Sequence, residues 1–182
     1  MTGSYSAPVF RVCFVCSGNI CRSPTAEAVF RRQLAEAGLT GQVEVDSAGL
    51  GDWHVGEAAD RRTAAALRAR GYPAWEHSAR QFRPADFAHR DLVVALDAGH
   101  ERELLALAGT DADRAKVRML RSYDTAAATD PAGLDVPDPY YGGEQGFEHV
   151  LDLVEAACHG LLTEVRNALG KRGDSGPRTA PG

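Results

Sequence analysis

A cysteine and an arginine separated by five residues carry the most specific chemistry in this sequence. The segment reads Cys16-Ser17-Gly18-Asn19-Ile20-Cys21-Arg22-Ser23. Five intervening residues let a loop curl around one tetrahedral anion with its N–H groups pointing inward, and a following helix adds its positive end. Arg22 supplies a planar fork that grips two phosphate oxygens, whereas a lysine would be only a point charge. The segment therefore predicts a phosphate-binding loop.

A thiol in such a loop is suited to nucleophilic catalysis. A free cysteine is only a few per cent thiolate at neutral pH, and the thiolate is the nucleophile. The helix end and Arg22 favour the negative form of Cys16. The Ser23 hydroxyl is expected to donate a hydrogen bond to the sulfur and to ease its departure in a second step. We therefore expect Cys16 to be the nucleophile and Arg22 to be the phosphate clamp.

A second segment offers a carboxyl group. It reads Val136-Pro137-Asp138-Pro139-Tyr140-Tyr141-Gly142, and on its own it would be an ordinary turn. Beside the cysteine loop it acquires a role, because phosphoryl transfer needs an acid that protonates the leaving oxygen. The two prolines stiffen the backbone around Asp138. Tyr140 and Tyr141 either wall a slot for an aromatic substrate or simply pack together.

The predicted elements place the cysteine loop between a strand and a helix. Apolar runs predict strands at 9–16, 42–49, 91–97 and 116–120, and amphipathic patterns predict helices at 23–38, 58–70, 98–108 and 147–169. Ser23 is a candidate helix cap, and Pro24 suits a first helical turn. Alternating strands and helices indicate an α/β fold with a parallel sheet covered on both faces. We expect one domain at 9–169, a flexible N-terminus at 1–8 and a disordered tail at 170–182.

Composition narrows the class of protein. The chain has 182 residues, of which 44% are hydrophobic, and its formal net charge of -5 argues against a dedicated nucleic-acid binder. Neither a secretory leader nor an apolar run of about 20 residues is present, so we expect no membrane partner. The four cysteines are too few and too clustered for a secreted disulfide scaffold. We expect a cytoplasmic protein with reduced thiols, although a leaderless export route would leave no mark in the sequence.

Taken together, four ordered segments resemble the low-molecular-weight protein tyrosine phosphatase family. They are VCFVCSGNICRSPTAEAVF at 12–30, DSAGLGDWHVG at 46–56, HSARQF at 77–82 and VPDPYYGG at 136–143, and the resemblance covers most of 9–165. It implies a four-stranded parallel sheet flanked by helices, of the phosphotyrosine protein phosphatase I-like type. It also implies hydrolysis of phosphotyrosine and aryl phosphates through a phosphocysteine, with no cofactor and no metal.

Carried over by position, the resemblance assigns roles to individual residues. Cys16 resembles the nucleophile, Arg22 the transition-state clamp and Asp138 the general acid. The remaining positions form the phosphate-binding loop (Ser17, Gly18, Asn19, Ile20, Cys21, Ser23) and its support (Ser47, His77). The resemblance also implies a substrate groove, with Trp53, Tyr140 and Tyr141 as its walls and Ile20 and Leu50 at its lip. The implied partners are a tyrosine-phosphorylated protein and, as product or inhibitor, phosphate or another oxyanion. Cys21 beside Cys16 resembles the family's reversible redox latch, which here is a hypothesis.

Two rival functions remain open at this stage. An arsenate reductase on the same fold shares the loop but needs further redox cysteines, and only Cys158 is available in the C-terminal half. A non-catalytic phosphotyrosine-binding module would tolerate loss of Cys16 or Asp138, yet both residues are present. Turnover of an aryl phosphate separates these alternatives.

Several other residues are expected to be structural. Cys13 and Cys16 lie three steps apart on an extended strand and so point to opposite faces, which argues against a dithiol pair. Cys158 is expected in the core. No metal-ligand spacing links the remaining histidines, and a surface-loop role is expected for His54. The histidines without ligand spacing are His54, His89, His100, His149 and His159. The helix arginines expected on a solvated face are Arg61, Arg62, Arg68 and Arg70.

Overall fold

In a computed structural model, which describes residues 9–131 and 133–174, the chain forms one four-stranded sheet. The strands are β1 (Phe10–Cys16), β2 (Val43–Gly49), β3 (Leu92–Ala95) and β4 (Val117–Met119). Every pairing is parallel, and the spatial order is β2-β1-β3-β4. The predicted parallel α/β sheet is confirmed.

The helices lie at or near the predicted positions. They are α1 (Arg22–Glu36), α2 (Arg61–Ala69), α3 (Ala98–Leu107), the single turn α4 (Asp111–Arg114) and α5 (Glu144–Asp174). Short 3-10 turns at Pro84–His89, Leu120–Tyr123 and Thr125–Thr129 were not predicted, and neither was α4.

The end of α5 corrects one predicted boundary. Helix α5 continues five residues past the predicted end at Leu169, where Arg172 lies over the Phe10 ring at 4.9 Å and pairs with Asp91. The rest of the predicted tail and the predicted N-terminal segment, 175–182 and 1–8, lie outside the described residues. Within the part that the structure describes, no helix is both long and apolar enough to cross a membrane.

Two apolar cores lie on opposite faces of the sheet. Phe14 packs edge-on against Phe30 of α1 on one face, at a ring separation of 5.8 Å. Cys13 belongs to the core of the other face, whereas Cys16 belongs to the first. The prediction that these two cysteines point apart is confirmed. Cys158 is buried in the first core, as predicted, and burial raises the pKa of its thiol.

The strand order identifies where a ligand should bind. From β1 the chain crosses to β2 on one side and later to β3 on the other, so the crevice between the carboxyl ends of β1 and β3 is a topological switch point. Ligands of open α/β sheets bind at such crevices. Strand β1 ends at Cys16 and β3 ends at Ala95, which places the cysteine loop at this position.

Candidate active site

The cysteine loop folds back over its own sulfur. The backbone N–H of Asn19 lies 3.3 Å from Cys16 Sγ, and Ser23 Oγ lies 2.9 Å from the same atom. These distances fit the predicted hydrogen bond from Ser23 to the sulfur. The prediction that Ser23 caps the helix is wrong: α1 begins at Arg22 after Cys21, with no side-chain cap, because the Ser23 hydroxyl is used by the sulfur.

Asn19 ties the loop to its surroundings. Its φ of 58° lies in the left-handed region, which asparagine tolerates better than most residues. Its side-chain Nδ2 donates to Ser23 Oγ and to Ser47 Oγ, both at 2.9 Å, and its Oδ1 accepts from Arg80 N at 3.0 Å. The carbonyl of Asn19 accepts from His77 Nε2 at 2.7 Å. Ser47 and His77 thus contact the loop residue that they were predicted to support.

The guanidinium of Arg22 is oriented by hydrogen bonds to Asp97 and to the Val136 carbonyl. Arg22 is only 5% exposed, and its Nη1 donates to Asp97 Oδ2 at 2.8 Å and to the Val136 carbonyl at 3.1 Å. Burial acts to raise the pKa of Asp97. The N–H of His100 and the charge of Arg22 outweigh this effect and lower the pKa below its ordinary value. While Asp97 and Val136 accept from Nη1, Nη2 lies 3.7 Å from the Asp138 carboxylate and 3.5 Å from His100 Nε2.

The segment carrying Asp138 is held by its backbone. Val136 N donates to the Leu96 carbonyl at 2.8 Å, and Asp138 Oδ1 accepts from Tyr140 N at 3.1 Å. The other carboxylate oxygen of Asp138 lies 3.7 Å from Arg22 Nη2. The Asp138 side chain is about half exposed, at 47%. It therefore stands where the buried loop meets solvent.

A buried arginine fixes the chain just before this segment. Arg121 is only 2% exposed, and its Nη1 donates to the carbonyls of Gly133 and Asp135 at 2.8 and 3.2 Å. Its Nη2 donates to Asp130 Oδ2 at 2.7 Å. An arginine is suited to this task because its planar fork satisfies several acceptors at once. Arg121 was not predicted, since an arginine in a 3-10 turn just after a strand has no local signature of burial.

A cavity of about 280 Å³ opens above the sulfur. Leu50 does not line it, which corrects the predicted groove: its side chain packs toward the second core, and its N–H donates to the Cys16 carbonyl at 2.9 Å. Trp53 and Tyr141 form the outer walls, and Tyr141 is 92% exposed. The lining consists of Cys16, Ser17, Gly18, Ile20, Cys21, Arg22, Trp53, His54, Asp138, Tyr140 and Tyr141.

A larger cavity, of about 530 Å³, runs along the outer edge of β2. Arg11, Arg31 and Arg90 line it together with Glu44 and Asp46, and its lining contains no cysteine, serine or histidine. Its arginines already pair with carboxylates, for example Arg11 with Glu44 and Arg90 with Asp46. The chemistry of the side chains, and not the volume, therefore identifies the smaller cavity as the candidate site.

His54 is a wall of the cavity, which corrects its expected role on a surface loop. Its Nδ1 lies 2.8 Å from Glu57 Oε2, and its ring covers Gly18. A Cβ at Gly18 would lie 2.8 Å from His54 Cδ2, closer than atoms of this kind approach, so any larger residue would force the imidazole or the loop to move. Gly18 of the loop and His54 therefore pack directly against each other in the wall of the cavity.

Two of the helix arginines also differ from the solvated face that was expected. Arg62 Nη1 donates to the Tyr140 carbonyl at 2.9 Å, and its guanidinium lies over the Tyr140 ring at 5.3 Å and the Phe147 ring at 4.7 Å. Arg70 pairs with Glu148 on α5 at 2.8 Å. These arginines join α2 to the wall of the groove and to the last helix.

The other titratable groups complete the description of the site. Burial raises the pKa of the Cys21 thiol to about 12, so this second loop cysteine is protonated at neutral pH. All four cysteines are free. Among residues 9–131 and 133–174, no three His, Cys, Asp or Glu side chains are grouped so that they could hold a metal ion.

A free thiol beneath a loop of N–H donors, a fixed guanidinium and a carboxyl group at the rim define a cysteine-based phosphate site on an α/β fold. Residues 11–171 match the family model described as low molecular weight phosphotyrosine protein phosphatase. A low molecular weight protein-tyrosine-phosphatase of Streptomyces coelicolor is 62% identical over 157 residues, which are 86% of this chain and 94% of that protein. The chain belongs to the low molecular weight phosphotyrosine protein phosphatase family.

Solved structures agree with this assignment. A protein tyrosine phosphatase from Entamoeba histolytica superimposes with a TM-score of 0.81 at 36% identity, covering 88% of this chain and 99% of that one. The Drosophila arginine phosphatase DARP superimposes with a TM-score of 0.76 at 30% identity, covering 85% of this chain and 97% of that one. The fold therefore serves both activities, and the site has to distinguish between them.

Proposed function

We propose that this chain is a protein tyrosine phosphatase that hydrolyses phosphotyrosine through a phosphocysteine at Cys16. The observation that carries the proposal is the convergence of three groups on one cavity. Cys16 Sγ lies under the loop, Arg22 is oriented by Asp97, and Asp138 lies 3.7 Å from Arg22 at the mouth. Cys16 and Arg22 come from one loop, whereas Asp138 comes from a distant segment of the chain.

In the first step, the Cys16 thiolate attacks phosphorus while the loop N–H groups and Arg22 hold the three non-bridging oxygens. The bond from phosphorus to the phenolic oxygen breaks, and Asp138 gives its proton to that oxygen. Tyrosine leaves, and the phosphoryl group remains on sulfur. The exposed position of Asp138 suits this transfer, because the leaving oxygen points out of the loop toward the cavity mouth.

In the second step, the Asp138 carboxylate takes a proton from water as the water oxygen attacks phosphorus. The sulfur–phosphorus bond breaks, inorganic phosphate forms, and Cys16 returns as a thiolate. The Ser23 hydroxyl, 2.9 Å from the sulfur, stabilises this thiolate as it leaves. Phosphate and similar oxyanions are thus expected to inhibit by occupying the empty loop.

The walls of the cavity favour an aryl phosphate. Trp53 and the Tyr140–Tyr141 pair, whose rings are 5.0 Å apart and nearly perpendicular, offer apolar surfaces above the loop. An aromatic ring on the substrate packs between such walls and carries phosphate to the base. Phosphoserine is too short to reach the base from a polypeptide backbone outside the cavity. We therefore propose tyrosine-phosphorylated proteins as the substrates.

The rival functions fit the site less well. An arsenate reductase needs a cysteine relay, but Cys158 is fully buried in the core and burial raises the pKa of its thiol, so it cannot serve as the relay. A phosphoarginine substrate would bring a cationic, flexible side chain into a groove walled by Trp53, Tyr140 and Tyr141. Among the cavity-lining residues, only Asp138 is acidic, and Arg22 already faces it.

We also propose a cytoplasmic location with reduced thiols, and a redox latch between Cys16 and Cys21. Both cysteines line the same cavity. Peroxide would convert the Cys16 thiolate to a sulfenic acid, and the Cys21 sulfur would then displace water to form a disulfide. Peroxide treatment followed by thiol trapping tests the latch. The hypothesis fails if Cys21 stays free while Cys16 becomes over-oxidised.

A substrate panel tests the proposed activity. The reduced protein is incubated in EDTA with one peptide sequence carrying phosphotyrosine, phosphoserine or phosphoarginine, and released phosphate is measured. We expect phosphotyrosine to be hydrolysed with a kcat/KM at least about 100-fold above the other two. A preference for phosphoarginine would contradict the proposed tyrosine phosphatase activity and would indicate an arginine phosphatase, the activity named for DARP. No hydrolysis of any peptide by folded, reduced protein would favour a binding module.

A further inference from the structure

His100 lies directly beneath the phosphate loop. It is the third residue of α3, and its backbone N–H donates to Asp97 Oδ1 at 2.8 Å, which caps the helix. The residue is only 3% exposed. Neither the sequence pattern nor the proposed mechanism gives this buried titratable group a task. Because burying a polar ring has a cost unless it is hydrogen-bonded, its partners indicate what it does.

The imidazole contacts both the loop and the clamp. Its Nε2 lies 2.8 Å from Ser17 Oγ and 3.5 Å from Arg22 Nη2. Its Nδ1 lies 3.2 Å from Asp97 Oδ1, and the other oxygen of Asp97 accepts from Arg22 Nη1 at 2.8 Å. Arg22, Asp97 and His100 thus form a closed ring of contacts, with Ser17 attached on the loop side.

The contacts fix the protonation state of the ring. Arg22 has only donors, so the Nε2 that faces it carries a lone pair, and the Ser17 hydroxyl donates to that lone pair. The proton of the neutral ring then lies on Nδ1, which is 3.2 Å from Asp97 Oδ1 but does not form a hydrogen bond with it. Burial, followed by the charge of Arg22, lowers the pKa of His100 to about 4, which agrees with a neutral ring.

Ser17 is consequently held from two sides. Its carbonyl accepts from Gly51 N at 3.0 Å, and its hydroxyl is fixed by His100. It follows Cys16 directly and begins the loop. We infer that neutral His100 is a positioning residue of the phosphatase site, which holds Ser17 and Arg22 in the arrangement that receives the phosphoryl group. This inference rests on the proposed function and adds a residue that acts through the loop and does not touch the substrate.

The test uses two partners that can be removed separately. His100→Leu removes the acceptor, Ser17→Ala removes the donor, and His100→Gln keeps an acceptor near the position of Nε2. The exposed His149→Leu on α5 is the matched control. Two quantities are measured for each variant: kcat/KM for a phosphotyrosine peptide, and the dissociation constant of inorganic phosphate by calorimetry. Thermal unfolding verifies that each variant is folded.

We expect His100→Leu and Ser17→Ala each to weaken phosphate binding and kcat/KM by about tenfold, the worth of one buried hydrogen bond. His100→Gln should recover most of this loss, and His149→Leu should match the wild type. The double variant should lose no more than either single one, because both remove the same interaction. A merely structural role would instead give losses that multiply and no recovery by glutamine.

The inference is overturned if folded His100→Leu retains wild-type phosphate affinity and turnover, or if the two losses multiply. If His100→Leu does not fold, Ser17→Ala decides, and unchanged values for that variant refute the inference. The calorimetric measurement keeps the two proposals separable. A wild type that binds phosphate but hydrolyses no phosphotyrosine refutes the proposed function, while the effect of Ser17→Ala on phosphate affinity still tests the role of His100.

Discussion

Asp138 Oδ2 lies 3.7 Å from Arg22 Nη2, so the proposed acid and the proposed clamp face each other across the mouth of one loop. Arg22 starts the first helix, and Asp138 lies in an irregular segment more than a hundred residues later. The Val136 carbonyl, which accepts from Arg22 at 3.1 Å, joins the two segments. The following predictions test what this pairing does.

Removing the carboxyl group should affect substrates unequally. Asp138→Ala and the isosteric Asp138→Asn should each lower kcat for phenyl phosphate, a poor leaving group, by about 10²–10⁴. An activated nitrophenol needs little protonation, so its loss should be much smaller. Steady-state rates for a series of substituted phenyl phosphates measure this difference. Equal losses along the series would show that Asp138 is not the general acid.

The geometry of the clamp should matter as much as its charge. Arg22→Lys keeps the positive charge but loses the planar fork that pairs with Asp97 and phosphate oxygens together. We expect kcat/KM to fall by about 10²-fold or more, the size of effect found when a preorganised transition-state donor is removed. Arg31→Lys, on an exposed helix face, serves as the control. Unchanged turnover in Arg22→Lys would refute the clamp assignment.

The buried arginine below the acid loop should support stability. Arg121→Ala removes the buried guanidinium that donates to Asp130 and to two carbonyls, and breaking a buried ion pair in this way costs about 3–5 kcal/mol of unfolding free energy. Urea unfolding of Arg121→Ala is compared with that of Arg118→Ala, whose side chain is exposed. A loss no larger than that of Arg118→Ala would contradict the role of Arg121 in holding this segment.

Stability should depend on pH through His100. Its pKa falls from 6.5 to about 4 on folding, owing to burial and Arg22, with Asp97, Asp138 and Asp135 opposing the shift. The unfolded chain therefore binds a proton below pH 6.5 that the folded chain accepts only near pH 4. The contribution of neutral His100 to the free energy of unfolding is therefore complete above pH 6.5, the unfolded pKa. It is lost as the pH falls from 6.5 to about 4, by about 1.4 kcal/mol per pH unit at most.

Urea unfolding at about pH 7 and about pH 4.5 measures this effect. Between the two conditions, the wild type should lose roughly 2–3 kcal/mol more than His100→Gln, which has no group that titrates at this position. The comparison uses the difference between pH values for each protein, so an overall destabilisation of the variant cancels. Parallel pH dependence in the two proteins would contradict a neutral, buried His100.

The sequence predicts those parts of the site that lie close together along the chain. The loop from Cys16 to Arg22 is local, and its turn residues and helix start follow from short-range rules, so its place after β1 could be predicted. Asp138 has no local signature of catalysis, and it entered the predicted site because phosphoryl transfer at the cysteine loop needs an acid, an assignment that the resemblance to a family also implies. The predicted strands and helices agree with the structure to within a few residues.

What the sequence could not predict depends on packing between distant segments. His100, Asp97 and Arg121 reach the site or its acid loop only because β3 ends beside β1 and β4 ends beside β3, and no spacing rule joins them to Cys16. Leu50 was misplaced for the same reason: adjacent strand ends hold its backbone near Cys16 while its side chain turns to the second core. The topological switch point, once β3 is recognised, is the one signal that could have pointed to Asp97 and His100.

The most direct test of the account is to capture the phosphoryl group on sulfur. The Asp138→Ala variant is used because it should form the intermediate and hydrolyse it slowly. It is mixed with a nitrophenyl phosphate, quenched within milliseconds, digested and analysed by mass spectrometry. The Cys16→Ser and Cys21→Ala variants are treated in the same way. We predict one phosphorylated peptide with the phosphoryl group on Cys16, retained in Cys21→Ala, and neither thiol phosphorylation nor turnover in Cys16→Ser. Turnover by folded Cys16→Ser, or phosphorylation at any other residue of the active protein, would contradict the account.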